Sequence, residues 1–206
     1  MSMKWILMVA CCLLALPMNA RSGSQAEAEQ VLDRTLALMT HPGGTRFNYK
    51  FHLGRLFNRY GTFIYKQDKS LSWNTKEMVW ADGKTVWALD RRKRIVRIMN
   101  PSQSRKGLKG MDEQMAMART DYDVTMHEEG NEYVLTLKAK TKKADAREAQ
   151  VWIEKKSYHP LRVKLKISVF WGTVEISDFR TGNYKDSMFS FPKEKYADVK
   201  MVDKRK

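Results

Sequence analysis

The chain has 206 residues, with 38 Lys and Arg against 23 Asp and Glu, a net charge of +15, and two cysteines, Cys11 and Cys12. Neighbouring cysteines at one end exclude a disulfide-stapled scaffold, so the fold must rest on its own core, for which this length suffices in one domain. The positive balance favours anionic surfaces as partners, phospholipid headgroups among them.

Residues 1–20, MSMKWILMVACCLLALPMNA, place Lys4 ahead of the apolar run Trp5–Leu16, followed by Pro17 and Ala20. That run fits a secretory h-region and is too short to span a bilayer, which predicts a signal peptide cleaved near Ala20 and a periplasmic destination. Both cysteines leave with it, so the exported chain has no thiol for catalysis or metal binding. Export also argues against nucleic acid as a partner. A second reading takes Met8-Val9-Ala10-Cys11 as a lipidation box, with the chain acylated at Cys11 and held on a membrane.

Residues 21–206 read as one domain with a charged tail over 193–206. Gln25–Met39 carries Ala28, Val31, Leu32, Thr35, Leu36 and Met39 on one helical face, with Ser24 as N-cap and Pro42-Gly43-Gly44 as the stop. From Thr45 the period changes to two. Phe47, Tyr49, Phe51 and Leu53 alternate with Arg46, Asn48, Lys50 and His52, which predicts a half-buried antiparallel strand. Further strands are expected over Leu56–Lys66, Ser70–Asn74, Met78–Ala81, Thr85–Leu89 and Arg94–Met99. Asp82-Gly83 predicts a two-residue hairpin that sets Trp80 and Trp87 on facing strands.

Asn100-Pro101 ends the β pattern, and Met111–Arg119 predicts a short helix with Met111, Met115 and Ala118 on one side. Methionines repack around variable apolar partners, so this segment reads either as core or as a mobile cover. Strands then return over Tyr122–His127, Tyr133–Lys140, Glu148–Glu154, Leu161–Val169, Thr173–Phe179 and Met188–Phe191, with turns at Glu128–Asn131, Tyr158–Pro160 and Trp171-Gly172. The whole is a β-dominated α+β fold. A meander of roughly ten or eleven strands does not stay flat, so a single antiparallel sheet curled into an unclosed or closed barrel is expected.

Catalytic signatures are absent: His41, His52, His127 and His159 are dispersed, and there is no nucleophile elbow, phosphate loop or zinc-protease motif. The chain reads as a non-enzyme that needs no cofactor. Eight Phe, six Trp and eight Tyr lie mostly on the alternating strands, and a curled sheet lined by them either fills itself or holds an apolar ligand.

ADGKTVWALD, GTFIYKQDKSLSW and VKLKISVFWGTVEISDFRTGNYKDSMFSFPKEKYADV resemble segments of the periplasmic outer-membrane lipoprotein carrier family, LolA. The resemblance runs from about Gln25 to about Val199. It implies an unclosed β-barrel covered by helices, whose apolar cavity takes the acyl chains of lipoproteins from an inner-membrane release complex to an outer-membrane acceptor. A monomer is expected. The cavity-lining residues would be Phe63, Tyr65, Leu71, Trp73, Trp80, Trp87, Val163, Leu165 and Ile167, with Met111 and Met115 on a lid. Arg91, Arg92, Lys93 and Arg94 would dock to an anionic surface. The Arg-Pro latch of the family is replaced by Gln67-Asp68, which leaves lid closure to the Arg91–Arg94 run or the Met111–Arg119 segment, or else marks a relative that binds another lipid or senses lipoproteins. A one-residue slip in any strand exchanges the two faces, so the lining set depends on register.

Overall fold

The computed structural model describes residues 19–54, 57–105, 111–141, 146–167 and 170–205. Residues 1–18 of the expected signal peptide, Cys11 among them, lie outside the described residues. Helix α1 spans Asn19–Met39, and its stripe of Ala28, Val31, Leu32, Thr35, Leu36 and Met39 is buried as the spacing predicts. The helix begins upstream of Ser24, so Ser24 does not cap it.

Among the described residues twelve strands follow: β1 Thr45–Leu53, β2 Phe57–Lys66, β3 Lys69–Trp73, β4 Glu77–Ala81, β5 Val86–Asp90, β6 Ile95–Met99, β7 Tyr122–Glu129, β8 Glu132–Ala139, β9 Glu148–Glu154, β10 Pro160–Ile167, β11 Phe170–Thr181 and β12 Lys200–Asp203. Between β6 and β7 lie two helices, α2 Pro101–Arg105 and α3 Met111–Thr120. Pro101 opens α2 because the first helical position needs no amide donor.

All twelve strands form one sheet in the order β12-β6-β5-β4-β3-β2-β1-β11-β10-β9-β8-β7. The edge strands β12 and β7 do not pair, so the sheet is an unclosed barrel with helices packed against it. Every ladder is antiparallel except β12 on β6, where Lys200–Asp203 runs beside Ile95–Ile98. The expected charged tail therefore contributes a strand. Its Met201 and Asp203 side chains are exposed and Val202 only half-buried, so this edge carries little of the alternating signal that marks a half-buried strand.

Two turns and one strand differ from expectation. Ala81 pairs with Val86, so the Asp82-Gly83 reversal is a four-residue loop in which the Asp82 carboxylate accepts hydrogen bonds from the Lys84 and Thr85 amides at 2.9 and 2.8 Å. This Asx turn satisfies the loop backbone, and only Gly83 takes a positive φ (91°). The Asp68 carboxylate stands where a Cβ on Gly83 would go, a second reason for glycine there. Trp171-Gly172 lies inside β11, the chain reversing between Ile167 and Phe170. Met188–Phe191 is not a strand: Asp186–Phe189 forms a 3₁₀ turn and a second covers Lys193–Tyr196.

Register divides the core between two faces of the sheet. One, the helix face, carries Val124, Leu135, Leu137, Ala149 and Ile153 under α1. It continues through Phe47, Ile176 and Phe179 against Met39. The other, the tail face, carries Ile64, Leu71, Trp80, Leu89 and Val96 under Phe189, Phe191 and Val199.

Candidate functional site

The nine residues expected to line one cavity do not share a face. In the β2–β3 ladder Phe63 pairs with Ser72, Tyr65 with Ser70 and Ile64 with Leu71, so Phe63 and Tyr65 point away from Leu71. Leu71 pairs with Trp80 and Trp80 with Trp87, which places Leu71, Trp73, Trp80 and Trp87 together on the tail face. Val163 and Leu165 pair with Val151 and Ala149, and join Phe63 and Tyr65 on the helix face. Ile167 ends β10 in the same alternation, with its side chain outside the described residues.

The tail face is filled by the chain itself. Trp80 meets the Phe191 ring edge-on at 5.2 Å and the Tyr196 ring at 5.6 Å, and Trp87 stacks on Phe191 at 6.4 Å. Trp80 is 2% exposed and Phe189 fully buried. Leu71 and Trp80 are thus core beneath the C-terminal segment, with Trp73 and Trp87 half-buried beside them.

This plug is clamped at the Gln67-Asp68 turn. Lys66 and Lys69 face each other across the β2–β3 ladder, an arrangement that repels unless an anion intervenes. Asp186 supplies it, accepting hydrogen bonds from Lys66 Nζ at 2.8 Å and Lys69 Nζ at 2.6 Å. The Lys66 bond first, then the Lys69 bond, pull the Asp186 carboxyl down to about 2. Gln67 and Asp68 form the exposed turn between the two lysines, with Gln67 at φ 56°. Here the turn holds the C-terminal segment.

The helix face is covered less completely. Tyr49, Phe63, Val163 and Val174 are half-buried beside Met39, Phe47, Ile176 and Phe179, and Met115 of α3 packs both there and on the cluster under α1. Helix α3 thus carries Met115 over the boundary between two apolar clusters. Met111 begins the same helix, with its side chain outside the described residues. Arg119 Nε donates to the Asp33 carboxylate of α1 at 2.6 Å, tying α3 to α1. Both side chains are largely solvated, so the tie contributes at most about 1 kcal/mol. This pair, from the segment nominated for closure, was not legible in the sequence because its members lie 86 positions apart.

The four basic docking residues are exposed at the β5–β6 turn, but not all are free. Arg94 pairs with Asp198 ahead of β12. Arg91 Nη2 lies 3.6 Å from Met78 Sδ. The Lys93 amide donates to Asp90 at 2.9 Å, the main reason the Asp90 carboxyl is lowered. Beside them a hollow of about 490 Å³ is lined by Lys76, Glu77, Ala88, Asp90, Arg92 and Arg97. Its charged wall suits no acyl chain.

The four histidines serve locally. His41 Nδ1 accepts the Gly43 amide, His52 meets Asn58, His127 meets Glu129, and His159 lies 4.7 Å from the Phe179 ring. Among the described residues no three His, Cys, Asp or Glu gather as a metal site, and no helix is long and apolar enough to cross a membrane.

The sequence profile of a family described as outer membrane lipoprotein carrier protein LolA matches residues 19–168. The plug over 184–199 lies beyond that match. No curated protein sequence matches the chain. Among solved structures, an uncharacterized conserved protein of Thermus thermophilus is similar over 86% of this chain and 99% of its own, at TM-score 0.54 and 11% identity. The lipoprotein LppX of Mycobacterium tuberculosis is similar over 78% of this chain and 100% of its own, at TM-score 0.50 and 10% identity. At these identities both likenesses concern the fold alone.

Proposed function

We propose that this chain, which belongs to the outer membrane lipoprotein carrier protein LolA family, is a non-enzymatic, extracytoplasmic lipid-binding protein that takes an acyl chain between α3 and the helix face of its sheet. The observation that carries this reading is the contrast between the two faces. On the tail face Trp80 and Phe189 are almost wholly buried under the C-terminal segment, with Trp73 and Trp87 half-buried around them, whereas on the helix face Tyr49, Phe63, Val163 and Val174 stay half-buried around a cluster on which the flexible Met115 of α3 packs. An acyl chain sliding under α3 would cover those side chains with a repacked Met115. Burying ~10 methylenes contributes on the order of 8 kcal/mol gross, enough to withdraw a chain from water and still release it to a membrane.

The replaced latch favours a lipid-binding or lipoprotein-sensing relative over a shuttle between inner and outer membranes. In the shuttle reading, the partners would be lipoprotein acyl chains, a release complex and an acceptor. A fluorescent fatty acid should bind with one-to-one stoichiometry. Val163→Asp, which places a charge on the helix face, should weaken binding at least tenfold, and Val163→Trp, which fills the space without adding charge, should do the same. Both variants must keep the far-ultraviolet dichroism of the parent. Unchanged affinity in the two folded variants rejects this site.

A further inference from the structure

One rim of the sheet collects the β1–β2, β3–β4, β5–β6 and β10–β11 reversals, because these strands alternate in direction through the order of the sheet. Its described residues are rich in cations and exposed aromatics. Lys76 in the β3–β4 turn and Arg91, Arg92 and Lys93 in the β5–β6 turn are exposed beside each other. At the other end of the rim, Phe170 and Trp171 are 59% and 38% exposed, and Tyr60 is 57% exposed. Lys166 Nζ stands 5.8 Å from the Trp171 ring centroid.

The hollow beside the β5–β6 turn adds Arg97 to Lys76 and Arg92. Its three cations, Lys76, Arg92 and Arg97, outnumber the two carboxylates, Glu77 and Asp90, and Arg59 pairs with Glu77, so the hollow is cationic on balance. Exposed Phe and Trp beside lysines serve little packing role, and a folded protein does not gather them on one rim without a partner. Aromatic side chains favour the water–lipid boundary, and cations favour the anionic headgroups next to it.

We infer that this rim docks on anionic phospholipid bilayers, with Phe170 and Trp171 entering the interface and Lys76, Arg91, Arg92 and Lys93 resting on headgroup phosphates. Charge complementarity selects this occupant, since each of the four basic side chains would meet a phosphate in a negatively charged leaflet. The inference rests on the proposed function only for the chain's meeting membranes at all. The rim lies at the strand ends, apart from the face under α3.

The test is flotation of the full-length exported protein with vesicles of phosphatidylcholine alone, or of phosphatidylcholine mixed with an equal part of phosphatidylglycerol. Binding is expected to the mixed vesicles only, and to fall as salt is added. Each cation removed should weaken it about fivefold, so Arg91→Ser, Arg92→Ser and Lys93→Ser together should lose roughly a hundredfold. Phe170→Ser with Trp171→Ser should abolish flotation at moderate salt. Lys155→Ser with Lys156→Ser, at the opposite rim, should leave it unchanged. Equal binding to neutral vesicles, no binding to either, or insensitivity to both rim variants overturns the inference; no binding to either leaves a protein partner as the occupant, and insensitivity to both variants puts the membrane contact on another surface. Fatty-acid binding is measured on the same samples. Its loss with flotation intact rejects the proposed function alone, and the converse rejects only the rim.

Discussion

The Asp186 carboxylate decides whether two facing lysines are a liability or a clamp. Held between Lys66 and Lys69, its carboxyl falls from an ordinary 3.8 to about 2. A carboxyl depressed on folding contributes stability above its unfolded value and loses it as pH falls through the folded one. The contribution is therefore complete above about pH 4 and lost toward about pH 2. Asp186→Asn should lower the melting temperature at pH 6 and flatten its decline between about pH 4 and about pH 2, followed by thermal unfolding in stepped buffers. Parallel acid limbs for the two proteins reject the clamp. The Lys69 ammonium, raised first by its bond to Asp186, behaves oppositely, its contribution fading only as alkali removes its proton. Register between Lys66 and Lys69 was not stated by either residue. The sequence marks Gln67-Asp68 as a turn, and only the pairing of β2 with β3 sets the lysines face to face.

Helix α3 shows how an element can be legible while its role is not. Methionines at helical spacing identify Met111–Thr120 as a helix. Whether that helix is core or cover depends on what holds it; Met115 and Ala118 pack on the cluster under α1, and Arg119 bonds to Asp33 of α1. A solvated pair of this kind is worth less than about 1 kcal/mol to global stability. Arg119→Ala should accordingly leave urea unfolding within that margin, yet speed release of a bound fatty acid several-fold in stopped-flow displacement. A large loss of stability with unchanged release would make α3 ordinary core. The β5–β6 turn teaches the converse: the run Arg91–Arg94 reads as one charged patch, but Arg94 is drawn away by Asp198, a residue that only β12 brings near.

At the scale of the molecule, the two faces act as separate cores on one sheet. Truncating Phe191, which packs on Trp80, Trp87 and Tyr196, removes the centre of the tail-face plug. Phe191→Ala should destabilise the protein by about 3–5 kcal/mol in urea unfolding. At temperatures where it stays folded, its fatty-acid affinity should match the parent, the reverse of the Val163→Asp pattern. If Phe191→Ala loses binding while folded, the tail face belongs to the site after all. Helix α1 and its buried stripe, most strands within a residue or two and the β-dominated class could all be read from the chain alone, because alternation, helical period and turn residues are local, whereas the residues left the barrel open or closed and only the family resemblance implied an unclosed one. Which aromatics meet could not. Trp80 and Phe63 belong to equally apolar strands, and a single-residue offset between Ile64 and Phe63 sends them to opposite faces. Long-range pairing also determined that a charged tail would close one face, since the partner of Lys200–Asp203 lies on a strand about a hundred residues earlier and no local pattern names it.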